Sequence, residues 1–209
     1  MKHTFDYIKT GDKPTIEKYI LLSGSPRRAS LLNFLEPEIR KTNIDERAIQ
    51  EFFMNKYKND PFIHRVGKTC CEISRAKADT ELEDCAMYIA ADTMVVMDGQ
   101  IYNKPTDMDQ AREMFLSYFG KTHHVITSVC LKMKDYEDSF YTIAEVEFVP
   151  YYSELSLIIN EYLTEENVMD KAGAYGIQDL DPRLVRRISG DINTIIGLPV
   201  AEVAYRIYQ

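Results

Sequence analysis

The stretch Tyr19-Ile20-Leu21-Leu22-Ser23-Gly24-Ser25-Pro26-Arg27-Arg28 decides the fold class. Tyr19 to Leu22 is a brief apolar run of the kind that forms a buried strand. It breaks at Ser23-Gly24-Ser25-Pro26. Pro26 suits the first turn of a helix, where its missing N–H costs nothing, and Ser25 before it is a natural N-cap. Arg27 to Phe34 follows, and Leu31, Leu32 and Leu35 supply a helical apolar stripe. A strand that runs through a short polar loop into a helix opens an α/β fold.

Working outward, the same alternation continues. His64 to Leu82 reads as a helix. Met87 to Met97 is a long apolar strand run interrupted by Asp92 and Thr93, and Asp98-Gly99 predicts a hairpin turn. Asp107 to Tyr118 reads as a helix that ends at Gly120. His124 to Lys134 and Ser139 to Pro150 read as strands joined by a turn at Asp135 to Asp138. Ser153 to Leu163 is a further helix. Ala172 to Ile177 is small and Gly-rich, Leu184 to Ile188 and Thr194 to Ile196 are short β candidates, and Ala201 to Tyr208 closes the chain as a helix. Residues 1–18 lack clear periodicity and read as an extension. With no repeats, linker or low-complexity tract, residues 19–209 are expected to form one α/β domain.

Bulk properties narrow the function classes. The 209 residues are 45% hydrophobic and 28% charged, a globular composition long enough for one substantial core. No run approaches the ~18 apolar residues a membrane helix needs, and Met1 to Lys18 has no apolar core for a secretory signal, so a cytoplasmic protein is expected. The four cysteines Cys70, Cys71, Cys85 and Cys130 fit a reducing compartment and lack the spacing of a zinc cage. A net charge of −8 argues against a stable nucleic-acid complex, as does the scatter of the fourteen tyrosines. It leaves room for a phosphorylated substrate where basic residues gather locally.

Five segments carry chemistry. Ser23 to Arg28 places small residues and two arginines at a helix start, where unpaired N–H groups and arginine forks attract phosphate. Asp92 is a carboxylate inside an apolar strand, costly unless it meets a metal, a donor or a substrate. Asn103-Lys104-Pro105 holds a lysine just past the hairpin. In Asp170-Lys171-Ala172-Gly173-Ala174-Tyr175-Gly176-Ile177-Gln178 the glycines permit close backbone approach, and the Gln178 amide offers a paired donor and acceptor for a base edge. Gly190-Asp191-Ile192-Asn193 leads through Gly197-Leu198-Pro199 into the last helix. His123 and His124 point to opposite faces of a strand and cannot grip one ion together.

Taken in order, Ser-x-Ser-Pro-Arg-Arg-x-x-Leu-Leu, Ala-Asp-Thr, Lys-Pro, Gly-Lys-x-His-x-Val-x-Thr, the block ending in Gly-Ile-Gln, and Gly-Leu-Pro resemble the Maf family of nucleotide pyrophosphatases, from about Ile20 to the end. The resemblance implies a mixed, strongly twisted sheet flanked by helices, two lobes around a cleft as in inosine triphosphatase-like folds, and a homodimer. It implies hydrolysis of nucleoside triphosphates between the α- and β-phosphates with a divalent ion, Mg²⁺ with Mn²⁺ or Co²⁺ as alternatives. The Gly-Ile-Gln block looks like the branch that acts on dTTP and UTP. By this resemblance Asp92 is the proton acceptor, and Arg27, Thr93 and Gln178 govern substrate choice. Ser23, Ser25, Arg28, Lys77 and Lys104 line the phosphate site, and Glu46 joins Asp92 in holding the metal.

Two departures stand out: Ser30 where the family commonly has Glu, and Asp179 where it has Gly. The latter opens Asp179-Leu180-Asp181-Pro182, which puts carboxylates beside Gln178 in place of a Gly-rich loop. Two other readings are a nucleotide- or nucleic-acid-binding regulator of cell division without turnover, and a pyrophosphatase for modified nucleotides.

Overall fold

The computed structural model describes residues 3–209 and is a mixed α/β structure with an open eight-stranded sheet flanked by helices. Met1 and Lys2, part of the predicted extension, lie outside the described residues. In chain order the strands are β1 (Thr4–Thr10), β2 (Lys18–Leu22), β3 (Glu38–Arg40), β4 (Ala86–Met97), β5 (Gln100–Tyr102), β6 (Thr122–Met133), β7 (Tyr136–Phe148) and β8 (Val185–Ser189). The helices are α1 (Pro26–Leu31), α2 (Glu46–Lys56), α3 (Phe62–Lys77), α4 (Met108–Ser117), α5 (Leu155–Tyr162), α6 (Glu165–Val168), α7 (Ile192–Ile196) and α8 (Val200–Tyr208). The sheet order is β1-β7-β6-β4-β2-β3, with β5 on β4 and β8 on β7.

The chain divides into two compact units, and β4, β6 and β7 contribute residues to both. Among the described residues, the first holds 3–93, 127–142 and 197–209. Here β2 pairs in parallel with β3 on one side and β4 on the other, so each connection must cross over through helices. Because β4 is covered on both faces, it reads as a continuous apolar run rather than an alternating one. Its two faces serve different cores. Met87, Ile89 and Ala91 pack with Leu32, Leu35, Val203 and Ile207, whereas Ala86, Tyr88 and Ala90 pack with Ile20, Ala78 and Cys130. That separation fixes which way Asp92 and Thr93 point.

The second unit holds residues 94–126 and 143–196 around its own core, which includes Val95, Phe115, Tyr118, Phe148, Tyr162 and Tyr175. The hairpin predicted at Asp98-Gly99 forms, both residues taking positive φ (50° and 76°) as its tight turn requires. Asp107 caps α4 by accepting from Gln110 N–H at 2.8 Å.

Several expectations are corrected. The extension contains a strand, β1, paired antiparallel with β7. Ser25 occupies the N-cap position of α1, but its side chain makes no capping bond, and Ser23 Oγ accepts the Ser25 N–H at 3.1 Å instead. That helix is only six residues long, then gives way to a tighter turn at Asn33–Leu35. The turn between β6 and β7 is two residues, Lys134 and Asp135, and β7 begins at Tyr136. Thr194 to Ile196 is helical, within α7, because Asp191 turns the chain by accepting from Asn193 and Thr194 N–H. The helix expected to reach Leu82 stops at Lys77, so the acidic run Glu81 to Asp84 lies in a loop, where Glu83 pairs with Lys18 and Arg40.

His123 sits inside the second core, fully buried, its Nε2 2.7 Å from the Tyr175 hydroxyl, while His124 is partly exposed beside Glu145. Its Nδ1 has no partner among the described residues. Burial, and to a lesser degree His124, pushes the His123 imidazole down to about 3. The folded protein therefore excludes a proton that the unfolded chain binds below about 6.5, so stability falls as pH drops through that window. From about pH 7 to about pH 4.5, unfolding free energy should drop by about 2–3 kcal/mol more in the native protein than in His123→Gln, followed by urea denaturation. Equal slopes would show that His123 is not the group responsible.

Candidate active site

The site grows from strand register. Leu22, the last residue of β2, pairs with Ala90 of β4, so Asp92 lies two residues beyond the end of β2, beside the Ser23–Pro26 loop. Ligands commonly bind at the carboxyl ends of parallel strands. Asp92 follows the Tyr88–Ala90 face towards α3, and Thr93 follows the opposite face towards α1.

On the α3 side, Asp92 is 7% exposed. Its Oδ1 accepts from Lys77 Nζ at 2.8 Å, and its Oδ2 accepts from Cys70 Sγ at 3.4 Å. The Lys77 ammonium also meets Glu46 Oε1 at 2.9 Å, so one cation lies between two carboxylates. Glu46 reaches it from the first turn of α2, a helix capped by Asp45 accepting from Ala48 N–H, and its side chain remains half exposed. Burial and the neighbouring Arg28 pull the Lys77 ammonium down, but Asp92 and Glu46 outweigh them and leave it above its ordinary range.

On the α1 side, Arg28 Nε donates to Gly197 O at 2.8 Å and its Nη2 donates to Thr93 Oγ1 at 3.0 Å. The Thr93 and Thr127 hydroxyls lie 3.0 Å apart. Gly197 is required here. Its φ is +119°, and a β-carbon would stand 3.3 Å from Thr93 Oγ1 and 3.6 Å from Arg28 Nε. Burial lowers the Arg28 guanidinium below its usual range, against the attraction of the Asp92 and Glu46 carboxylates. Arg28 is thus held in one orientation by two acceptors.

Of the residues expected to act together, Ser23, Ser25, Arg27, Arg28, Glu46, Lys77, Asp92 and Thr93 belong to the first unit; Asp92, Lys77 and Glu46 are directly linked, and Arg28 and Thr93 form a second linked pair. Ser23 is buried, whereas Ser25 and Arg27 are partly exposed. Lys104 and Gln178 belong to the second unit. Lys104 is exposed in the loop after β5 and makes no ion pair among the described residues, and Gln178 is exposed in a short helical turn at Ile177–Asp179. Sequence reasoning gave no role to Cys70, although its seven-residue separation from Lys77 places both on one stripe of a helix.

A family profile described as Maf-like protein matches residues 18–209, from the first residue of β2 to the C-terminus. The chain belongs to the Maf family. Similar proteins include the dTTP/UTP pyrophosphatase of Bacillus velezensis, 36% identical over 89% of this chain and 93% of that protein. The dTTP/UTP pyrophosphatase of Thermosipho africanus is 39% identical over 89% of this chain and 90% of its own length. That of Pyrococcus furiosus is 35% identical over 88% and 91%. The matched region begins after β1.

Whether these residues suit a divalent ion can be judged from the donor set. No group of three potential ligands occurs among the described His, Cys, Asp and Glu residues. Mg²⁺, however, is commonly held by one or two carboxylates together with substrate phosphate oxygens and water. Asp92 and Glu46 are two such carboxylates, but the point midway between them is taken by the Lys77 ammonium. An ion held by them would lie beside Lys77 and rely on substrate oxygens and water for the rest of its shell.

Because Lys77 neutralises a buried carboxylate, its loss should be felt in the fold. Lys77→Met should lower the unfolding free energy by about 3 kcal/mol in urea titrations, the usual penalty for leaving a buried charge unpaired. The double variant Lys77→Met with Asp92→Leu should recover most of it. A double variant no more stable than the single one would show that the pair is not the source of the cost.

Proposed function

We propose that this Maf-family chain is a nucleoside triphosphate pyrophosphatase that converts UTP and dTTP to the monophosphate and pyrophosphate. The observation that carries this reading is the buried Asp92 carboxylate, anchored on one oxygen by Lys77 and standing in the field of Arg28. The names of the relatives, dTTP/UTP pyrophosphatases at 35–39% identity, supply the substrate class.

A triphosphate brings several negative charges, and Arg27 and Arg28 supply the neutralising cations, with Lys104 as a further donor and Lys77 already shared between Asp92 and Glu46. The helix terminus at Ser25 contributes little, because a six-residue helix sums few peptide dipoles. Asp92 accepts a proton from the attacking water while Lys77 holds its carboxylate in one orientation, and in-line attack at the α-phosphorus expels pyrophosphate. A divalent ion, Mg²⁺ by preference, would be held by Asp92 and Glu46 and would supply charge neutralisation at the phosphate oxygens. Gln178, exposed and with a donor and an acceptor on one amide, reads O4 and N3–H of uracil or thymine. Thr93 acts on substrate choice through the Arg28 side chain that it fixes.

Two measurements test this. Pyrophosphate release from a panel of triphosphates, with Mg²⁺ and with chelator, should be greatest for UTP and dTTP and should require the ion. Asp92→Asn should lose about 10²–10⁴ in kcat while remaining folded. Nucleotide binding without pyrophosphate release would favour the regulator, and near-normal turnover in Asp92→Asn would remove it as the base.

Base reading makes a separate prediction. Gln178→Ala should narrow the preference for UTP over CTP by up to about a hundredfold, the cost of an unpaired polar group once the bound base covers this exposed amide. An unchanged ratio of kcat/KM values would exclude Gln178 from base recognition.

A further inference from the structure

The proposed base has two oxygens, and only one is accounted for by the lysine. The other, Oδ2, accepts a hydrogen bond from the Cys70 thiol at 3.4 Å, a normal distance for sulfur. Cys70 is fully buried, and the strong acceptor that its thiol meets at this distance is the Asp92 carboxylate, so the thiol is the donor. Cys70 and Lys77 stand seven residues apart on α3, two helical turns, and so present their side chains to the same strand. The backbone at Cys70 is itself pinned, since its carbonyl accepts from Ser128 Oγ of β6 at 2.7 Å. The carboxylate is thereby gripped from both sides by one helix whose register is fixed against the sheet.

We propose that Cys70 is a positioning residue for Asp92, its thiol fixing the rotation of the carboxylate about its last bond so that the lone pairs left free by Lys77 and Cys70 face the attacking water. This rests on Asp92 being the base. A lone lysine contact leaves the carboxylate able to turn about the Lys77–Oδ1 contact, and a second donor on Oδ2 removes that freedom. A thiol is suited to this role because it is a weak, uncharged donor: it orients the carboxylate without competing strongly for the electron pair that must take up a proton. The other buried cysteines lack this contact. Cys71 and Cys130 are inert members of the interior, and Cys85 is exposed.

The test uses the full-length protein with UTP and Mg²⁺. Cys70→Ala should lower kcat about tenfold with KM changed less than about twofold, the effect expected from losing one hydrogen bond to a charged group at the reacting carboxylate. Cys70→Ser retains a donor and should recover to within about threefold of the native kcat, where a purely space-filling role would favour Ala or Val over Ser. In the infrared, the S–H stretching band that disappears in Cys70→Ser should move to higher frequency in Asp92→Ala, when its acceptor is removed. An unmoved band, or a native kcat in Cys70→Ala while Asp92→Asn is inactive, would overturn the role of Cys70 and leave Asp92 as the base. Full activity in Asp92→Asn would overturn both. Loss in Cys70→Ala that tracks a smaller folded fraction, measured by circular dichroism, would assign Cys70 to packing alone and equally overturn the proposal.

Discussion

An ammonium and a carboxylate, each side chain no more than a tenth exposed, lie 2.8 Å apart where β4 passes the end of β2. Taking both charges out of water costs several kcal/mol each, and their attraction need not repay it. A pair of apolar residues would hold α3 against β4 at least as well. The Lys77–Asp92 pair therefore makes sense as a prepared electrostatic environment, and much of the first unit is arranged to tolerate it. Cys70 satisfies the second oxygen, Glu46 adds a second carboxylate to the ammonium, and Ser128 anchors the helix that carries both Cys70 and Lys77.

The pleat of β4 divides the work. Alternation sends the carboxylate to α3 and the Thr93 hydroxyl to α1, so the proposed proton acceptor and the Arg28–Thr93 pair are built on opposite faces of one strand. Arg28 is held by a carbonyl and a hydroxyl rather than by an acid. Its positive charge is consequently not cancelled by a contacting carboxylate, which suits the proposed contact with phosphate. A glycine with positive φ at 197 permits the close approach.

Much of this was legible in the amino-acid order, and for identifiable reasons. β4 declared itself because a strand covered on both faces must be continuously apolar, and the same background made Asp92 conspicuous. α4 and the hairpin before it were legible because their caps and turn are local chemistry. What escaped depends on tertiary contact. β1 has no clean alternation because its pairing shifts register between Asp6 and Ile8, and its docking relies on partners such as Arg206, which meets Asp6 from two hundred residues away. α2 buries no residue fully and so carries a weak stripe, and Thr194-Ile195-Ile196 has β-branched residues that favour a strand until Asp191 starts a helical turn. In the site, Asp92 and the arginines stood out as residues, but their linkage did not. That Lys77 meets Asp92 and Glu46, and that a cysteine supplies the second donor, follows from the face α3 turns to the sheet.

If the account is right, the bond cleaved is fixed by where a water beside Asp92 strikes the phosphate chain. Hydrolysis of UTP in heavy-oxygen water, with mass analysis of both products after one turnover, reads this directly. The label should appear in UMP and be absent from pyrophosphate, because the attack falls on the α-phosphorus. Label in the pyrophosphate, or release of singly cleaved inorganic phosphate, would contradict the central claim.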